Sequence, residues 1–138
     1  MIDREIIKNK IRDILLYLKE IEPFLKLSPS EIIKDYTKLR TLERNFQLIV
    51  DSMVDINMHI ISQKNLVPPD DYQSTFSILG ENKIIPIDFA LKIAPAAGTR
   101  NRIVHRYGDI DKKKFITDIQ KGASDFKQYC RYIEKIVV

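Results

Sequence analysis

The sequence predicts an all-α bundle of four main helices and one short one. Three observations predict it. Apolar residues recur at alternating intervals of three and four over most of the chain, no stretch alternates with the period of a strand, and capping or breaking residues separate the periodic segments. With 138 residues, 44% hydrophobic and 30% charged, four glycines and no tryptophan, the chain is long enough to bury a core from packing alone. One domain, 1–138, is expected.

In the first helix Ile7, Ile11, Ile14, Leu18, Ile21 and Leu25 are spaced 4, 3, 4, 3, 4, which makes one apolar face, and Pro23 predicts a kink. "SPSE" then reads as a helix start, with Ser28 as cap, Pro29 at the first position and Glu31 closing a capping box. A long second helix is expected from there to about Asn65, seamed by Leu39, Leu42, Phe46, Ile49, Met53, Ile56 and Ile60. "VPPDD" stops it. Tyr72, Phe76 and Leu79 make a short helix that Gly80 can terminate. Pro86 and Asp88 open another, continued by Leu91, Ala94 and Ala97 to Gly98. The last helix, capped by Asp111, carries Phe115, Ile119, Ala123, Phe126, Cys130, Ile133 and Val137.

Composition narrows the function classes. Cys130 is the single cysteine, so disulfide scaffolds and cysteine zinc sites are excluded, and a reducing cytoplasm is the expected setting. No run approaches the roughly 18 apolar residues of a membrane span. Residues 1 to 99 carry 13 basic against 14 acidic side chains, while residues 100 to 138 carry 10 against 5, so the cationic excess of +4 lies in the last quarter. A local excess of this kind attracts polyanions such as RNA, although a solvated helix surface has the same composition.

At the head of that basic quarter stands "TRNRIVHRYGD", residues 99–109, with Arg100, Arg102, Arg106, His105 and Tyr107. Imidazole shuttles protons near neutral pH, guanidinium grips phosphate bidentately, and a tyrosine hydroxyl positions or donates. Together they are the parts of a metal-independent cleavage of RNA by its own 2′-hydroxyl. That reaction needs a base, an acid for the leaving 5′-oxygen and positive charge on the phosphoryl oxygens. One histidine per motif is short of both proton roles, and a symmetric dimer presenting two copies in one cleft supplies the second. On an ideal helix Arg100 and His105 lie about 140° apart, and Arg100 and Tyr107 nearly share a face.

The second helix carries Arg44, Gln47, Asp51, Asp55 and Met58 on the side away from its seam, interleaved with Leu48 and Val54. That half-apolar face can pack against a partner subunit. The polar stripe of the helix is Arg44, Gln47, Asp51, Asp55 and His59. Asp51, Asp55 and His59, spaced four and four, invite comparison with a bundle metal site. With two histidines in the chain and no Glu-x-x-His, pairing with Arg44, Arg100 or Arg102 at an interface is the stronger reading. Cys130 reads as core filler, and Tyr129 and Tyr132 as helix packing.

"RNRIVHRY" resembles the R-x4-H-x-Y motif of the HepT-like toxins of the HEPN superfamily of RNases. "LERNFQLIVDSMVDINMHII", "PPDDYQSTFSILGENKII" and "GTRNRIVHRYGDID" resemble, in this order, the family's second-helix, short-helix and motif blocks. Thr99, and Ala96 and Ala97 before Gly98, depart from the bulkier apolar residues common there, which touches packing under the motif. The resemblance implies a dimerising HEPN bundle and a ribonuclease toxin without metal or other cofactor, acting on tRNA or mRNA. It further implies Arg100 and His105 as catalytic positions with Asn101 beside them, and Arg44, Asp51 and Asp55 in support. The implied partner is an MNT-type nucleotidyltransferase antitoxin that transfers AMP to Tyr107. A non-catalytic helical module that binds nucleotide or RNA and serves such a nucleotidyltransferase as partner subunit is the alternative.

Overall fold

The carboxylate of Asp3 accepts the backbone N–H groups of Glu5 and Ile6 (3.0 and 3.2 Å) and so starts helix α1, Arg4–Ile21. Ile7, Ile11, Ile14, Leu18 and Ile21 form its buried face. At Pro23 the chain tightens into a 3-10 turn, Glu22–Lys26, which is the expected kink. Ser28 then caps α2, Pro29–Lys34, with its hydroxyl accepting from the Glu31 N–H at 3.2 Å. The remaining helices are α3 (Tyr36–Gln63), α4 (Tyr72–Glu81), α5 (Ile87–Ile93), α6 (Pro95–His105) and α7 (Lys112–Val137), with a 3-10 turn at Tyr107–Asp109. The structure is a computed structural model describing residues 1–137, and no strand occurs among them.

Two helices expected to be continuous are each broken in two. The stretch from Pro29 to Asn65 is interrupted at Asp35, whose backbone is extended (φ −107°, ψ 101°) while its carboxylate accepts from Thr37 N–H and Lys38 N–H. A short acidic side chain that caps a new helix competes with continuation of the old one. The bend lets α2 contact both α3 and α7, with Ile32 fully buried. The second break falls at Pro95, which has no N–H to give the preceding turn and so stands at the first position of α6. Turning the chain there leaves Leu91 60% exposed, and Phe89, Ala90 and Ile93 take the core positions. Gly98 does not end the helix, which runs on to His105. Four main helices and a short one therefore become seven α-helices among the described residues, in the same all-α bundle.

Gly80 has a different role from the terminator expected of it. A Cβ there would stand 2.7 Å from Ala90 Cβ and 2.8 Å from Ile87 Cδ1, so glycine is what allows α4 and α5 to touch. The left-handed residue that closes the long helix is Asn65 (φ 53°).

The core runs along α3. Phe46 meets Phe115 edge to face at 5.3 Å and Phe126 at 6.1 Å, and Phe76 meets Tyr129 at 6.0 Å. Tyr129 is wholly buried. It donates to Asn57 Oδ1 at 2.6 Å, and Asn57 Nδ2 donates to Thr75 Oγ1 at 3.1 Å, so one polar chain ties α7 to α3 and α4. Tyr132 packs edge-on against Phe89, and Cys130 is buried, both as expected. Among the described residues no helix is long and apolar enough to cross a membrane.

Candidate functional site

Helix α6 packs against both α3 and α4, and this contact places Arg100. The Arg100 side chain is 13% exposed and donates from Nε to Asp51 Oδ1 of α3 at 2.8 Å, as an ion pair. From Nη1 it donates to Asn101 Oδ1 at 3.2 Å, and its Cζ lies 5.0 Å from the centre of the Tyr72 ring at the start of α4. Nη2 has no protein hydrogen-bond partner among the described residues. Nε and Nη1 of the guanidinium are therefore held by protein groups and Nη2 is not. Asp51 holds the charge in place through a charge-assisted hydrogen bond.

His105 is the last residue of α6 and is exposed. It stands five residues along the helix from Arg100, a rise of about 7.5 Å. Arg106 then leaves helical geometry (φ −140°, ψ 47°). The expectation that Tyr107 shares a helical face with Arg100 fails here, because a projection at 100° per residue holds only while the helix continues.

Instead the 3-10 turn carries Tyr107 back toward the N-terminal part of α3. Its hydroxyl donates to Glu43 Oε2 at 2.7 Å, and the other carboxylate oxygen accepts from Arg40 Nη1 at 2.8 Å. Glu43 is only 4% exposed. Arg40 lies between two rings, its Cζ 4.7 Å from the centre of Tyr107 and 4.4 Å from that of Tyr36, and Lys112 Nζ is 5.4 Å from the Tyr107 ring. Burial first, and then the bond to the Glu43 carboxylate, pushes the Tyr107 phenol above its usual range, while Arg40 pulls the other way.

The polar stripe of α3 does not converge on one place. Asp51 meets Arg100. Asp55 pairs instead with Lys10 of α1 at 3.0 Å, which raises the lysine, and His59 accepts the Asp3 N–H at 2.9 Å. A spacing of four advances about 40° per step around a helix, so residues along such a stripe turn from α6 toward α1. No cluster of three or more His, Cys, Asp or Glu side chains that could hold a metal occurs among the described residues. Arg44 is exposed, and Arg102 donates to Thr99 Oγ1 at 3.2 Å. A cleft of about 350 Å³ between α6 and α7 is lined by Thr99, Phe115 and Asp125 among others, but neither Arg100 nor His105 lines it.

The order of these residues and their helices can be matched against known families. A family model described as ribonuclease HepT-like matches residues 14–133. The chain belongs to the HepT-like ribonuclease family. Two relatives of this HepT-like chain cover nearly all of it. The tRNA nuclease HepT of Aphanizomenon flos-aquae is 30% identical over 137 residues, 99% of this chain and 93% of the relative. The mRNA nuclease HepT of Shewanella oneidensis is 27% identical, covering 94% of this chain and 97% of the relative. Among solved structures, the tri-AMPylated HEPN toxin of Shewanella oneidensis in complex with MNT antitoxin superposes with a TM-score of 0.84 at 26% identity, over 94% of this chain and 97% of that one.

Glu43, Arg40, Tyr72 and Lys112 were not singled out from the HepT-like sequence. A signal for Glu43 existed: Glu43, Gln47, Asp51, Asp55 and His59 are all four apart, so the polar stripe extends back to Glu43 as naturally as to its neighbour Arg44. Tyr72 and Lys112 had none, since each reaches the site only through packing of its helix.

Proposed function

We propose that this chain is the toxin of a toxin-antitoxin pair, a metal-independent RNA endonuclease working in the cytoplasm as a symmetric dimer of one 138-residue domain. The observation that carries the reading is Arg100. Its Nε is clamped by Asp51, its Nη2 has no protein hydrogen-bond partner among the described residues, and it shares a helix with an exposed His105. The dimer follows from proton accounting, since one chain brings one motif histidine. Within and against that motif two apolar side chains are exposed, Val104 of α6 and Tyr72 of α4, whose ring lies 5.0 Å from the Arg100 Cζ.

In the reaction a 2′-hydroxyl of RNA attacks the adjacent phosphorus. His105 takes its proton, and the partner's His105 supplies one to the leaving 5′-oxygen. The 2′-oxygen–phosphorus bond forms, the phosphorus–5′-oxygen bond breaks, and the products end in a 2′,3′-cyclic phosphate and a 5′-hydroxyl. Arg100 neutralises the phosphoryl oxygens as charge builds on them, and Asn101 fixes the Nη1 edge of that guanidinium. tRNA or mRNA is the substrate. An MNT-type nucleotidyltransferase antitoxin silences the enzyme by moving AMP from ATP to Tyr107, which adds bulk and negative charge to the cationic surface that RNA would occupy.

The test is incubation of the unmodified chain, verified by intact mass, with total RNA in EDTA. Wild type is expected to leave 2′,3′-cyclic phosphate ends and His105→Ala to leave the RNA whole. Equal cleavage by both refutes the assignment, and cleavage by neither turns the chain into a binding partner of the nucleotidyltransferase.

A further inference from the structure

Attack of Tyr107 on the α-phosphorus of ATP forms a bond from the phenolic oxygen to phosphorus, expels pyrophosphate and releases the phenolic proton. That proton needs an acceptor. Burial and the adjacent carboxylate disfavour a free phenolate at Tyr107, so the proton has to leave as the new bond forms. The structure already shows a group in line to take it. Glu43 Oε2 accepts the Tyr107 O–H at 2.7 Å, which is within the reach required of a general base.

We infer that Glu43 is the proton acceptor for the modification of its own chain, and that Arg40 keeps it aimed. The inference rests on the reading of Tyr107 as the AMP acceptor. A carboxylate 4% exposed is costly to bury alone, and Arg40 on Oε1 at 2.8 Å offsets that cost. Arg40 is itself fixed between the Tyr36 and Tyr107 rings, so the Oε2 edge is held toward the phenol. Protein kinases use a carboxylate in the same way to receive a substrate hydroxyl proton.

The arrangement also accounts for the product. Once AMP is attached, Tyr107 has no O–H to donate and its hydrogen bond to Glu43 is gone. Arg40 and Lys112, both near the Tyr107 ring, are the cations closest to that new charge. Glu43 is on α3, the 28-residue helix along which the core packs, while Tyr107 is on a turn.

The experiment measures initial rates of AMP transfer to the full chain by purified MNT-type nucleotidyltransferase with ATP and magnesium. Intact mass is the readout, across a pH series, for wild type, Glu43→Gln, Glu43→Asp and Tyr107→Phe, with helicity checked by circular dichroism. Glu43→Gln keeps the shape and is expected to lower kcat roughly 100-fold or more at every pH of the series and leave KM for ATP unchanged. Glu43→Asp keeps a carboxylate one methylene further off and is expected to recover part of the rate. Gln and Asp variants that are equally slow would assign Glu43 to holding the turn and overturn the proton-acceptor role, as would a Gln variant that keeps pace with wild type. A wild-type chain that takes no AMP overturns the modification of Tyr107 itself, and this role with it.

Discussion

Replacing Asp51 with asparagine isolates the anchor of Arg100. The contact is 2.8 Å, with side chains 13% and 32% exposed for Arg100 and Asp51. Two unit charges about 4 Å apart attract by ~4 kcal/mol at an effective permittivity near 20. The exposed third of Asp51 and the entropy of holding the arginine reduce this, and hydrogen bonds to charged groups contribute about 1.5–3 kcal/mol. Asparagine retains an acceptor oxygen, so Asp51→Asn is expected to lose about 1 kcal/mol of stability, read from the urea midpoint. Its effect on cleavage is expected to be larger, a fall of about 10- to 100-fold in kcat/KM, because an unanchored guanidinium is displaced from the phosphate. The discriminating assay is a double-mutant cycle. If Asp51 acts on cleavage through Arg100, as proposed, the double variant Asp51→Asn, Arg100→Ala should cleave within about twofold of Arg100→Ala alone. Two losses that multiply independently, or an Asp51→Asn enzyme at full rate, would refute the positioning role.

Gly80→Ala is expected to lower stability by about 1–3 kcal/mol, because its Cβ would overlap Ala90 and Ile87 across the α4–α5 contact. An unchanged Tm would show that α5 can back away. Tyr129 is fully buried, and its phenol is pushed well above the ordinary 10.0, by burial first. In the unfolded chain the same phenol ionises near its ordinary value. The stabilisation is therefore fully present below pH 10 and is lost as pH rises from there through the folded value. Urea midpoints on either side of that pH should fall for wild type and fall less for Tyr129→Phe, which begins about 1–2 kcal/mol less stable for want of its hydrogen bonds. Equal slopes would assign the alkaline loss to another group. Burial pushes the Cys130 thiol up to about 12, so a thiol-alkylating reagent should leave the native chain unlabelled and label it in denaturant. Labelling of the native chain at the rate of a free thiol would contradict the burial.

Much of the fold is legible in local pattern. The stripes from Ile7 to Ile21 and from Leu39 to Ile60 are buried as their spacing requires, because a 3.6-residue period is a property of the backbone and needs no partner to be read. The breaks at Asp35 and Pro95 were harder to place. Asp and Pro favour a boundary, but neither compels one inside a continuous periodic pattern, and the bends were set by what Ile32 and Ile93 bury. Gly80 shows the same limit, since a glycine that ends a helix and one that admits a neighbouring helix look identical along the chain.

The candidate site divides along the same line. Arg100, Asn101 and His105 are neighbours on one helix, so their chemical types and spacing could be read from consecutive letters. The stripe on α3 could be listed by its spacing but not assigned: Asp51 faces Arg100, Asp55 serves Lys10, and His59 accepts from Asp3. Those partners lie 49, 45 and 56 residues away, and a separation of that length says nothing about proximity until helices pack. Tyr107 is the clearest case. Its identity is in the motif, yet its environment came from the end of α6 at His105, which swung the ring to Glu43 across 64 residues of sequence. Periodicity and residue type are local properties, and so they gave the buried stripes and the chemical types of the candidate groups. Which carboxylate meets which arginine or phenol depends on crossing angles and helix ends, which are properties of the packed bundle.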